Sequence, residues 1–204
     1  MTVTFLRHCM LNPPFDNYDV LSIDQLSQLS LQEIDPAIDK QKLPYLIDVS
    51  VIEKSYDTIF HSPSLRAKQT AQYVGEMVQC HTIIESREVR EIVFDPKRLV
   101  TQEEFLELGL QAVRNGLFHA LETDSNYEHR SEINTRLHTF FLKLSESAFE
   151  NVLIVTHGFL LRIIELGLKN RSIKHGKYTY AELTNATNYS YCKGFTIENF
   201  QYTE

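Results

Sequence analysis

The stretch Val152-Leu153-Ile154-Val155-Thr156-His157-Gly158 decides how this chain is read. Consecutive apolar residues, rather than alternating ones, mark a strand buried on both faces, as in a parallel sheet covered by helices. The residues after it, Gly158 to Leu168, have helical spacing. His157 therefore falls where a strand hands over to a helix, at the carboxyl edge where open α/β sheets bind their ligands.

Working outward, the same alternation recurs. Val3 to Leu6 is a short buried strand that ends at Arg7-His8. Thr58-Ile59-Phe60, Thr82 to Glu85 and Tyr189 to Ile197 read as further strands. Between them lie helical patterns over Asp24 to Ile34, stopped by Pro36, and over Ser64 to Gln79. The second has Leu65, Ala67, Ala71, Val74 and Met77 near one face, with Ser62 as N-cap and Pro63 at the first position. Thr101 to Leu121 has helical spacing, and Glu128 to Phe149 is amphipathic, with Ile133, Leu137, Phe140, Phe141 and Leu144 as core candidates. Strands alternating with helices predict an α/β protein of three layers, α/β/α, around a mostly parallel central sheet.

The bulk properties narrow the function. At 204 residues the chain is sized for one core, and residues 1–204 are read as a single domain. A net charge of −7, with no basic stripe, argues against nucleic acid as partner. No apolar run approaches the roughly 18 residues of a membrane span, and no secretory pattern opens the chain. Cys9, Cys80 and Cys192 make an odd count without CxxC spacing. That argues against a disulfide framework or a structural zinc site and fits a reducing cytoplasm. Cys9 itself reads as a small apolar filler.

The chemistry rests on Arg7, His8, Arg66, Glu91 and His157. A neutral imidazole can attack phosphorus and hold it as phosphohistidine, which is the role expected of His8. Arg7 and Arg66 can each grip phosphate oxygens with two N–H groups, and His157 can add another donor. Glu91 is the expected general acid, its proton retained through burial and a bound phosphate dianion. These groups together need neither a metal nor an organic cofactor. The remaining histidines, His61, His81, His119, His129, His138 and His175, have no partner pattern and read as structural or solvated.

These segments resemble the histidine phosphatase superfamily, which includes the cofactor-dependent phosphoglycerate mutases. Leu6-Arg7-His8 resembles the family's L-R-H-G opening, and Gln25 to Glu33 a degenerate P-L-T-x-x-G-x-x-Q segment. Ser62 to Ala71 is similar to S-x-L-x-R-A-x-Q-T-A, and Arg90 to Phe94 to R-E-I-x-F-G, which places the acid on Glu91 rather than Glu88. Val152 to Arg162 resembles V-x-V-x-S-H-G-x-x-x-R, and Leu183 to Ala186 the N-A-S segment. The resemblance implies a phosphoglycerate mutase-like fold, the roles given above, and a cap over the substrate within residues 95–130. Cys9, Ser30 and Asp95 stand where the family has glycine. The phosphate-contacting Asn or Thr that follows the opening motif has Asn12 or Asn17 as its candidate. Arg162 is expected to pair with a nearby acid such as Glu165.

Hydrolysis of a small-molecule phosphomonoester is the expected activity, since the family's mutases are usually longer. A mutase that returns the phosphoryl group to its substrate, a non-catalytic phosphate-binding scaffold and a phosphoprotein phosphatase stand as alternatives.

Overall fold

The computed structural model describes residues 1–170 and 172–203. Its strands are β1 (Thr2–Arg7), β2 (Thr58–His61), β3 (Ile83–Glu85), β4 (Asn151–Thr156) and β5 (Gly194–Ile197). Its helices are α1 (Ile23–Ser30), α2 (Leu43–Leu46), α3 (Val49–Ile52), α4 (Leu65–Val78) and α5 (Pro96–Leu99). They continue with α6 (Gln102–Leu108), α7 (Leu110–Thr123), α8 (Arg130–Ser145), α9 (Gly158–Lys169) and α10 (Tyr180–Asn185).

The strands order as β3-β2-β4-β1-β5. β1, β2, β3 and β4 run parallel, and β5 adds antiparallel to β1. Alternate residues of each strand point to opposite faces. Val3, Phe5, Val152 and Ile154 pack with Leu117, Leu137, Phe141, Leu160 and Ile164 of α7, α8 and α9. Leu6, Ile59, Leu153 and Val155 pack on the other face with Ala67, Ala71 and Val74 of α4. Both faces are covered, which is the three-layer arrangement expected. Fully burying one such Leu, Ile or Phe contributes roughly 1.5–3 kcal/mol. Two apolar layers therefore fix the strand ends. Arg7 lies opposite Thr156 in the β1–β4 register, so His8 and His157 leave the sheet side by side.

Several expected boundaries are corrected. The first helix ends at Ser30, because Gln32 turns into the left-handed region (φ 62°) and Glu33 N–H closes onto the Gln28 carbonyl. Ser64, not Ser62, caps α4, accepting from Ala67 N–H, and Leu65 and Met77 are exposed. The helix expected over Thr101 to Leu121 is two, α6 and α7, broken at Gly109 (φ 55°, ψ −134°), a conformation open chiefly to glycine. Glu128 precedes α8 rather than belonging to it. The last strand is only Gly194–Ile197, where a Cβ on Gly194 would sit 1.7 Å from the Phe5 carbonyl oxygen.

The cysteine reading is also corrected. Cys9 and Cys192, both fully buried, form a disulfide with Cα atoms 4.6 Å apart, and Cys80 is free. Cys9 is not a filler, and the cysteine count no longer supports a reducing compartment. Sequence could not foresee the pair, because the two residues are 183 positions apart and meet only when β5 docks on β1. Among the described residues no helix is long and apolar enough to cross a membrane.

Candidate active site

Arg7, His8, Arg66, Glu91 and His157 line one cavity at the carboxyl edge of the sheet. Four junctions deliver them: the end of β1 brings Arg7 and His8, the first turn of α4 brings Arg66, the segment after β3 brings Glu91, and the turn from β4 into α9 brings His157.

His8 is buried, and its backbone N–H donates to the Thr156 carbonyl at 2.8 Å. Its Nδ1 lies 2.8 Å from the Cys9 carbonyl oxygen, which can only accept. Nδ1 therefore carries the hydrogen, and Nε2 keeps a free lone pair. Burial, then the charges of Arg66 and Arg7, hold His8 well below the usual imidazole range, against the Cys9 bond. The ring is neutral near pH 7 and remains a nucleophile. Thr70 bridges this segment to α4, its hydroxyl accepting from Cys9 N–H (3.0 Å) and donating to the Arg66 carbonyl (2.8 Å).

The two arginines are held on one side and open on another. Arg7 Nη1 donates to the Tyr189 carbonyl at 2.6 Å, and its guanidinium stacks 4.3 Å from the Tyr191 ring centroid. Arg66 Nη1 donates to Asp35 at 3.2 Å, and the same carboxylate accepts from Leu65 N–H. The Nε atoms of both arginines are buried without a partner.

His157 is buried, its ring centroid 5.1 Å from that of His8. Its Nε2 lies 2.7 Å from Ser62 Oγ. Ser62 Oγ also accepts from Ser64 N–H, and as a hydroxyl it can exchange a hydrogen bond with Nε2 in either direction. Nδ1 of His157 is buried without a partner. Burial first, then Arg66, His8 and Arg7, keeps this ring well below its ordinary pKa. Ser62, expected as a helix cap, thus orients a histidine instead.

Glu91 sits on the N-terminus of α9. Its Oε1 accepts from Ile92 N–H (3.0 Å) and Leu160 N–H (2.9 Å), and Oε2 takes only a longer bond from Phe159 N–H (3.3 Å). Oε2 is thus the oxygen with room for a proton. Burial raises the Glu91 pKa above the carboxylate range, outweighing those N–H groups and the Arg66 charge. A clamp fixes the segment. Buried Glu128 accepts from Arg136 (2.8 Å), Arg90 (2.6 Å) and Val93 N–H (3.0 Å), while Arg136 also donates to the Glu88 carbonyl.

Asn12 is not brought to the cavity. Its backbone pairs with the Ala37 carbonyl, and its side chain is exposed. Asn17 caps a turn at Asp19. Asn188, which carried no motif, lines the cavity instead. Arg162 also lines it, and Glu165, its expected partner, bonds Lys169 at 2.6 Å. The cavity lining also includes apolar residues, Leu26 and Leu29 of α1, Phe94, and Leu110 and Val113 of α7. Of the three positions where glycine was replaced, Ser30 lines the cavity. Asp95 caps α5 and accepts from Ser27 Oγ at 2.7 Å, which ties α1 to α5.

The family model of the histidine phosphatase superfamily (branch 1) matches residues 50–198, and the chain belongs to that superfamily. The matched stretch begins after Arg7-His8, which the fold nevertheless sets beside His157. A Hydrogenobacter thermophilus protein provisionally named phosphoserine phosphatase 2 is 29% identical over 128 residues, 58% of this chain and 61% of that protein. The match thus spans less than two thirds of that relative. A mycobacterial glucosyl-3-phosphoglycerate phosphatase has the same fold (TM-score 0.62, 15% identity, 97% of this chain and 90% of the other). So does a phosphoglycerate mutase of Bacillus anthracis (TM-score 0.57, 19% identity, 100% and 90%).

Proposed function

We propose that the protein hydrolyses phosphomonoesters of small molecules through a phosphohistidine on His8. One observation carries this reading: Arg7 and Arg66 line one cavity with a neutral histidine, and the Nε atoms of both are buried donors without partners. Buried polar groups are rarely left unpaired, and two guanidinium groups that share one cavity with His8 call for an anion.

The residues then act in sequence. Nε2 of His8 attacks phosphorus while the ester P–O bond breaks, and Glu91 passes its proton to the departing oxygen. Arg7, Arg66 and His157 hold the phosphoryl oxygens as charge moves across them. Glu91, now ionised, takes a proton from the water that attacks phosphohistidine. The P–N bond breaks, inorganic phosphate leaves, and His8 returns to its neutral form. These five side chains supply every role in that scheme without a metal or organic cofactor. Segment 95–130 serves as the cap in this reading, within one catalytic domain. The apolar lining it contributes favours a small leaving group over a phosphoprotein.

Phosphate release from p-nitrophenyl phosphate with EDTA present tests this. Wild type should turn over and His8→Ala should not, with acid-labile, base-stable phosphate trapped on wild type alone. Turnover that survives in His8→Ala would sink the reading.

A further inference from the structure

The bond between Cys9 and Cys192 stands directly behind the phosphate site. Cys9 follows the candidate nucleophile in sequence. Its carbonyl, 2.8 Å from His8 Nδ1, decides which ring nitrogen of His8 stays free. Its N–H donates to Thr70 Oγ1 (3.0 Å), and that hydroxyl donates to the Arg66 carbonyl (2.8 Å). Cys192 belongs to the segment that dresses Arg7. The Tyr189 carbonyl accepts from Arg7 Nη1 (2.6 Å), Tyr191 stacks on the guanidinium, and the Lys193 carbonyl accepts from Arg7 N–H (2.9 Å). The Tyr191 ring also lies 5.7 Å from that of His8, centroid to centroid. One covalent bond thus joins the group that aims His8 to the groups that aim Arg7.

Several other tethers of the Cys192 segment are weak. It leads into β5, a four-residue strand at the edge of the sheet that pairs with β1. Cys192 N–H reaches the His8 carbonyl only at 3.4 Å. The ion pair of Lys193 with Asp48 (3.0 Å) is exposed at both ends, and such pairs hold weakly. Cys192 has a φ of 57°, in the left-handed region that costs a residue with a side chain free energy. With its sulfur released, the turn is free to relax toward ordinary backbone. Both cysteines are fully buried, yet Ser190, Lys193 and Gly194 around Cys192 are exposed. Opening of this edge turn alone therefore brings the Cys192 sulfur to solvent.

We infer that Cys9 and Cys192 form a thiol–disulfide switch on the phosphate site: bonded, the pair holds His8 and Arg7 in line, and reduced, it lets both go slack. The inference rests on the phosphatase reading for what the site binds. The reductant is a dithiol. Its thiolate attacks the Cys192 sulfur, the S–S bond breaks, and Cys9 leaves as a thiolate that takes up a proton. The second thiol of the reductant, giving up its proton, then displaces Cys192 from the mixed disulfide. Two electrons pass to the protein, which ends with two thiols, and the reductant ends as a cyclic disulfide. A misplacement of about 1 Å in an active site can cost about 10²-fold in rate.

The test equilibrates the full chain with reduced or oxidised dithiothreitol and reads each state in three ways. Alkylation and mass count the free thiols, Cys80 alone when the bond is intact. Near-UV circular dichroism reports the fold. Calorimetric titration with inorganic phosphate and turnover of p-nitrophenyl phosphate report the site. Reduction should raise the phosphate Kd about tenfold and lower kcat/KM by about tenfold to 10²-fold. The fold should persist, and reoxidation should restore both constants. Cys9→Ala and Cys192→Ala should stay at the reduced values in either buffer, and Cys80→Ala should respond as wild type. A bond that never forms, or that dithiothreitol leaves intact, would overturn the inference. So would a folded, reduced protein with the constants of the oxidised one, constants lost only together with the near-UV signal, or a response that persists in Cys9→Ala. A phosphate Kd that follows the redox state without turnover in either state sinks the phosphatase reading alone. Turnover and phosphate affinity that ignore the redox state sink this inference alone.

Discussion

The phosphoryl end and the leaving-group end of the cavity are built on different terms. At the phosphoryl end every side chain is anchored twice, by a junction of the sheet and by a named partner. His8 has Cys9, Arg7 has Tyr189 and Tyr191, Arg66 has Asp35, and His157 has Ser62. At the leaving-group end, α6 and α7 meet at Gly109, and α7 lines the cavity with Leu110, Val113 and Arg114. Rigid geometry suits chemistry that is the same for every phosphate ester. In the proposed reading, specificity falls to the part of the fold whose sequence can change without disturbing the sheet.

The largest expected effect breaks the phosphoryl end. His8→Ala should lower kcat on the order of 10⁵–10⁶-fold, as loss of a covalent nucleophile does elsewhere, measured by steady-state turnover. Glu91→Gln should cost about 10²–10⁴-fold with an alkyl ester and less with p-nitrophenyl phosphate, whose leaving group needs little protonation. Its pH profile carries the sharper signature. The raised pKa of Glu91 keeps the acid loaded to higher pH, and activity falls as pH rises through it. The depressed pKa of His8 keeps the nucleophile neutral below pH 6.5, and activity falls on the acid side only as pH drops through that lower value. Glu91→Gln should erase the alkaline limb and leave the acid limb in place.

Stability changes are smaller. Cys192→Ala, or reduction of the wild type, should lower unfolding free energy by about 2–4 kcal/mol, seen as a shift in thermal midpoint. Gly109→Ala meets no atom within 4 Å, so its cost is conformational only, about 1–3 kcal/mol. If the two ends are as separable as described, Gly109→Ala should alter KM across esters while kcat for p-nitrophenyl phosphate changes little.

The same division governs what the sequence could reveal. Arg7, His8 and His157 were legible because each sits where a strand signature stops, and strand ends converge by topology alone, whereas Arg66 and Glu91 were legible through the resemblance of Ser62 to Ala71 and Arg90 to Phe94. The fold class followed from Val152 to Val155 and the strands around it. The bounds of α7 and the placing of Arg114 were hidden by Gly109, since helical spacing runs straight through it. Arg162 misled because an acid three residues on looked like its partner, whereas Lys169 takes that acid at i+4. Asn12 misled because the loop after β1 pairs its backbone with Ala37 and turns the side chain to solvent. Cys9–Cys192, Glu128 and Asn188 depend on contacts far apart in sequence, which no local pattern encodes.

The dressing of Arg7 has a consequence in time. Its backbone N–H donates to Lys193, its guanidinium donates to Tyr189, and Tyr191 covers its face, all from the far end of the chain. Arg7 is synthesised long before Tyr189 and Tyr191, which hold its guanidinium. Contacts across so long a separation form late in folding. The Arg7 guanidinium of a growing chain therefore stays unaimed until Tyr189 and Tyr191 have been added and have packed against it.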